Sequence, residues 1–191
     1  NQGFCPLTVH DYIGYTGLAF NFVWSIGCPY ECSYCGNTVM IENDKNYRKI
    51  RHPSVNYLIG QVKDVITRHP HISTIVFHDD SFMAIPRRTI QEFADQWKRE
   101  IDLPFSVYGV IPSFVREEKF DILVDAGMNR VRMGVQSGSD KILEFYKRPN
   151  KPGLIHSAAT IISKFKEHMI PPAYDIILDN PVENNQDVLD T

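Results

Sequence analysis

The segment CPYECSYC sets Cys28, Cys32 and Cys35 in CxxxCxxC spacing, directly after an apolar run and ahead of Gly36 and Asn37. Thiolates are the ligands of iron-sulfur clusters and of structural zinc. Most clusters take four thiolates, so three leave one iron open. An open coordination position is what separates a catalytic metal site from a closed structural one. The competing reading is a structural zinc or iron-sulfur site without catalysis. Zinc would need a fourth ligand such as Cys5, His10 or His52, and none of these sits at a familiar zinc spacing. Three of the four cysteines crowd into one short window, which points to metal ligands in a reducing compartment rather than a disulfide framework.

Other chemistry-bearing residues cluster at the ends of apolar runs. HDDSF, from His78 to Phe82, carries adjacent carboxylates at Asp79 and Asp80, and these repel unless a cation or hydrogen-bond donors compensate. A turn bonded to nearby amides, or a divalent metal site with His78, are the rival uses. In NRVRMGVQSGSDKIL, alternation puts Arg130, Arg132, Gly134 and Gln136 on one face of a strand. Ser137 to Asp140 also fits a helix capping box, which alone would explain Ser137. Asp175 lies in an apolar strand, where an acid costs free energy unless it is paired, functional or at a solvent-facing edge. Arg148 reads either as a site cation or as a solvated charge. Lys45, Arg48, Lys49 and Arg51 form a short basic cluster, a solvated loop or a reductase-docking patch.

The elements that must position these residues alternate along the chain. The runs Leu18–Ile26, Ser73–His78, Phe105–Val110, Arg130–Val135 and Ala173–Leu178 read as strands. Between them lie segments of helical period. Val55, Leu58, Ile59, Val62, Val65 and Ile66 share one helical face, and Ile90, Phe93, Ala94 and Trp97 share another, with Pro86 suited to the first turn. A third helix carries Phe120, Leu123 and Val124 and stops at Gly127. Ser139–Tyr146 and Leu154–Phe165 complete the set. Such alternation predicts right-handed βαβ units and a parallel sheet, open or barrel-like, whose working loops lie at the carboxyl ends of the strands.

With 191 residues, 43% of them hydrophobic, the chain has enough material for one packed core. A net charge of -3 gives no global signal for nucleic acid or an anionic membrane surface. It shows no apolar run of about 18 residues and no signal peptide, so the expectation is a cytoplasmic protein without a membrane partner. Beginning at Asn1 without Met and ending at Thr191, the chain reads as a piece of something longer.

The cysteine loop with Tyr34 in its aromatic position, the later strand-end motifs and the strand order together resemble the radical S-adenosylmethionine (SAM) superfamily, from about Leu18 to Glu183. The resemblance implies an α/β partial (β/α) barrel of about five βα units, with 1–17 as an N-terminal extension and 18–191 as the core. It implies an enzyme in which Cys28, Cys32 and Cys35 hold a four-iron, four-sulfur cluster that reductively cleaves SAM to a 5′-deoxyadenosyl radical. The cofactor site it implies comprises Tyr34, Gly36, Asn37, Asp79, Asp80, Ser81, Gln136, Ser137, Arg148 and Leu178. One or both aspartates would meet the SAM amino group, Gln136 and Ser137 its ribose or methionine part, and Arg148 its carboxylate. The DDxF form resembles a subset often fused to a cobalamin-binding domain, which leaves cobalamin open as a further cofactor, for methyl transfer or rearrangement. ILDNPVEN departs from the family's glycine-rich turn but keeps Pro181 and Glu183, and Leu178 remains available for an apolar adenine contact. Flavodoxin or ferredoxin is the implied electron donor; the organic substrate is unknown.

Overall fold

A computed structural model describes residues 8–14, 17–148 and 151–191. Its six-stranded sheet runs in simple sequence order from β1 to β6. β1 (Ile13–Gly14) pairs antiparallel with β2 (Ala19–Phe22). From β2 onward every pair is parallel: β3 (Thr74–Phe77), β4 (Phe105–Val110), β5 (Met128–Gln136) and β6 (Ala173–Ile176). The sheet does not close, which gives the partial barrel expected. Ile13 and Gly14, which the sequence places in an N-terminal extension, pair with β2 at the edge of the sheet. Cys5 lies outside the described residues.

The crossovers follow the hydrophobic period. α2 (Val55–Arg68) buries Val55, Leu58, Ile59, Val62 and Val65, and the Ser54 side chain caps it by accepting from the Tyr57 N–H. α3 (Arg87–Glu100) buries Ile90, Phe93, Ala94 and Trp97 against the sheet. There Trp24, Phe77, Phe82, Phe93, Trp97 and Phe105 form an aromatic core, with neighbouring rings in edge and tilted contacts. α4 (Glu117–Asp125) ends where Gly127 adopts φ +105°, a left-handed turn that lets β5 begin at once. α1 (Gly36–Asn43) follows the cysteine loop, and α5 (Asp140–Phe145) and α6 (Leu154–Ser163) lie between β5 and β6. α7 (Asn185–Asp190) is last. Among the described residues no helix is long and apolar enough to cross a membrane.

Three local expectations are corrected. The first strand stops at Phe22 rather than Ile26, because the N–H groups of Trp24 and Ser25 turn away from the ladder to the Asp79 carboxylate. The helix after β5 is capped by Ser139, not Ser137: the Ser139 hydroxyl accepts from the Ile142 N–H, while Ser137 Oγ accepts from the Ser139 N–H. The last strand ends at Ile176, leaving Leu178 beyond the ladder. At this open edge Ile170, Tyr174, Ile176 and Leu178 are exposed, as an uncovered sheet edge requires.

Candidate functional site

The cysteine loop is strapped to the carboxyl end of the sheet from several sides. Gly27, at φ +107°, opens it, and a Cβ there would sit 2.4 Å from the Lys49 carbonyl oxygen, so only glycine fits. The Cys28 N–H donates to the Tyr47 carbonyl at 3.0 Å. Tyr30 stacks on Phe114 and hydrogen-bonds Ser113 at 2.8 Å, tying the loop to the turn after β4. The Ser33 N–H donates to the Tyr146 carbonyl after α5, and the Cys32 carbonyl accepts from the Thr38 hydroxyl in α1. Arg48 of the basic cluster forms an ion pair with Glu31 across the loop. These bonds tie several of the loop's backbone groups to partners remote in sequence, which favours one loop conformation.

All three thiols line one open cavity. Its wall also carries Tyr34, Asn37, Asp80, Gln136 and Arg148, all expected site residues, and Tyr30, Arg132 and Asp175, which the sequence reading left out of the site. The Ser81 hydroxyl donates to Cys28 Sγ at 3.4 Å, and an Arg148 guanidinium nitrogen lies 3.9 Å from Cys32 Sγ. Arg148 also donates to the Tyr34 hydroxyl at 3.0 Å and to the Gly134 carbonyl at 2.6 Å. It is a placed cation, not a solvated one. Burial pushes the Tyr34 phenol above its ordinary range despite the adjacent Arg148 charge.

The two aspartates separate. Asp80 faces the cavity, its carboxylate accepting from the Gly27 N–H at 3.0 Å, the Asn37 amide at 2.9 Å and the Tyr47 hydroxyl at 2.8 Å. Burial and that bond to Asp80 push the Tyr47 phenol up to about 12. Asp79 points the other way and is 2% exposed. Its oxygens accept from the Trp24 N–H, the Ser25 N–H and the Ser25 hydroxyl. Burial raises the Asp79 carboxyl to about 6, against those lowering hydrogen bonds. Asp79 is a strut that shapes the exit of β2; Asp80 is the carboxylate the cavity receives.

Gln136 enters the cavity from a left-handed backbone at φ +74°, where a non-glycine residue is strained and where functional sites often store such strain. Gly134 leaves room for it: a Cβ there would lie 2.4 Å from Gln136 Nε2. Ser137 is fully buried behind the wall, its hydroxyl bonded to that of Thr191 at 3.0 Å. Leu178 is exposed and outside the cavity lining. Gly36 begins α1 with open space around it. Asp175, the acid in an apolar strand, is paired with Arg132 through two bonds of 2.8 and 2.9 Å, and period-two alternation in two separate strands could have suggested it.

Burial pushes the Cys28 thiol up in the absence of metal, and a bound metal cation reverses this by selecting the thiolate. Among the described residues no three His, Cys, Asp or Glu side chains close on a single point. All three thiols nonetheless open onto the same cavity. Three thiolates with nearby donors to sulfur and an open polar wall fit a cluster with one free iron.

Comparison with known proteins agrees. The family model described as the radical SAM superfamily matches residues 22–191. An uncharacterized methyltransferase of Pyrococcus horikoshii is 24% identical over 173 residues, which are 90% of this chain and 36% of that protein. The cobalamin-dependent S-adenosylmethionine radical enzyme OxsB superposes with a TM-score of 0.73 at 20% identity, over 90% of this chain and 25% of OxsB. The radical S-adenosylmethionine methyltransferase TsrM from Kitasatospora setae gives 0.69 at 19% identity, over 90% of this chain and 30% of TsrM. The chain therefore spans about a third or less of each of these proteins.

Proposed function

The chain belongs to the radical SAM superfamily, and on that premise we propose that its cavity holds a four-iron, four-sulfur cluster on Cys28, Cys32 and Cys35 with SAM alongside. One observation carries the assignment of residues: the three thiols share a single cavity with Asp80, Asn37, Gln136 and Arg148. When bound, the cluster supplies the electron that cleaves a carbon-sulfur bond of SAM. The chain's own residues bind and orient. Asp80, already held by three donors, keeps acceptor capacity for an ammonium group. Arg148 brings positive charge to the wall beside Tyr34, where a carboxylate is favoured. Ser81 and Arg148 temper the negative charge on the cysteine sulfurs.

In the longer protein, the reaction is methyl transfer with cobalamin as second cofactor and flavodoxin or ferredoxin as electron donor. The curated relative's name, the cobalamin dependence in the name of OxsB and the cobalamin and four-iron cluster bound in the TsrM structure support this reading. Anaerobic reconstitution tests both levels. About four irons per chain and a broad brown absorbance are expected; zinc without iron would return the loop to a structural role. With SAM, reductant and cobalamin, methylcobalamin and S-adenosylhomocysteine are the expected products. Release of 5′-deoxyadenosine alone would keep the cluster assignment and refute methyl transfer.

A further inference from the structure

The concave face of the sheet continues below the cavity, and its charges are unequally matched. Ser106 of β4 and Arg130 of β5 are register partners, so they share a face. The opposite face of these strands is core, with Phe105, Val107, Val131 and Met133 fully buried. Arg132, two residues beyond Arg130, points to the same concave side. It lies 5.6 Å over the Tyr108 ring and is neutralised by Asp175. His78, next to Tyr108 at a ring separation of 4.9 Å, is bonded to Asn21 at 2.8 Å. Arg130 is different. Its Nε is buried without a hydrogen-bond partner, and among the described residues it joins no ion pair.

A buried guanidinium nitrogen left unpaired costs free energy, and such a group in a folded protein calls for an explanation. Arg132 is offset by Asp175, whereas the half-buried Arg130 joins no ion pair among the described residues. A planar fork of N–H donors matches a carboxylate or a phosphate and nothing neutral as well. Along a strand, two residues advance about 7 Å, so Arg130 lies that far below Arg132 and the cavity rim.

We propose that Arg130 is an anion subsite on the concave face, taking a carboxylate or phosphate group of the substrate whose other end reaches the cavity beside Arg132. The word substrate rests on the radical SAM reading; the anion site itself does not. The probes are inorganic phosphate and formate, titrated into the cluster-loaded protein at constant ionic strength with chloride as reference, with melting temperature and calorimetric heat as readouts. A saturable rise with phosphate assigns a phosphoryl group, and one with formate alone assigns a carboxylate. Arg130→Gln should weaken that response about ten- to a hundred-fold, the size of a lost charged contact. If Arg130→Gln misfolds, Arg130→Lys, which keeps the charge and removes the fork, should still weaken it. No saturable response in the unmodified protein, or an unchanged response in the variants, overturns the proposal. Cys32→Ala protein should lose its cluster and keep the anion response, so a failure of SAM cleavage with that response intact counts against the proposed function and not against this site.

Discussion

Ser25 donates both its N–H, at 2.7 Å, and its hydroxyl, at 2.5 Å, to the same oxygen of Asp79, across 54 residues of sequence. This pair turns the chain out of β2 and aims it at Gly27, so the start of the cysteine loop is set by a buried carboxylate and not by the loop itself. Trp24, whose N–H bonds the other Asp79 oxygen, is thereby seated in the aromatic core.

Asp79→Ala should therefore lower the melting temperature while leaving SAM affinity per folded, cluster-loaded molecule nearly unchanged. Losing an acceptor for three donors costs about 1 to 3 kcal/mol for each donor left unpaired. The pH dependence has a definite sign. The folded carboxyl titrates at about 6, above its ordinary 3.8, so the folded state binds more protons between these values and its stability falls as pH rises from about 4 through about 6. The shift is worth roughly 3 kcal/mol. Urea denaturation of the unmodified protein and Asp79→Ala at pH 4, 5, 6 and 7 measures it; equal slopes in both proteins would remove Asp79 as the source.

Asp80 predicts the opposite split. Asp80→Ala should weaken SAM binding about ten- to a hundred-fold, since it removes a charged acceptor from the cavity wall. Iron content should hold. Equilibrium dialysis with labelled SAM decides it, and unchanged affinity would take Asp80 out of the site.

Replacement of Cys28, Cys32 or Cys35 by Ala should each abolish the cluster, because every one lines the cavity and no fourth described thiol backs it up. Cys5→Ala should reconstitute normally. Iron counted per chain is the measurement, and a full cluster in Cys32→Ala would contradict the ligand set.

Two glycines should respond differently to Ala. At Gly134 the new Cβ would meet the ends of two flexible side chains, Gln136 at 2.4 Å and Arg148 at 3.2 Å, so the fold should persist while both are displaced and SAM binding falls. At Gly109, with φ +67°, the Cβ would lie 2.0 Å from the Asp79 carbonyl oxygen, a backbone atom. Gly109→Ala should be the more destabilised of the two in thermal melts, with strain of at least 1 to 3 kcal/mol.

The edge at β6 should drive self-association, since Tyr174, Ile176 and Leu178 are exposed along a strand that, among the described residues, pairs on one side only. Light scattering should show oligomers that Ile176→Lys reduces; a monomer without the substitution would contradict this.

The cysteine loop, the strand and helix alternation and the buried helix faces were legible in the sequence because each is written in neighbouring residues. CxxxCxxC brings three ligands together by spacing alone, and periods of 2 and 3.6 name the buried sides of strands and helices. Gln136 and Arg148 were legible as polar residues near a strand end. The roles of Asp79 and Asp80 were not, since both lie in the turn after β3 and which of them faces the cavity depends on how that turn packs against the exit of β2, where Trp24 and Ser25 take Asp79 and Gly27 takes Asp80. Likewise Ser137 is drawn behind the wall by Thr191, 54 residues away, and Arg132 finds Asp175 only because β5 and β6 lie side by side. The sequence by itself determined the ligands and the order of the elements. The tertiary structure decided which polar residues meet them, because those meetings join strands and chain ends that are remote in sequence and adjacent only once the sheet has formed.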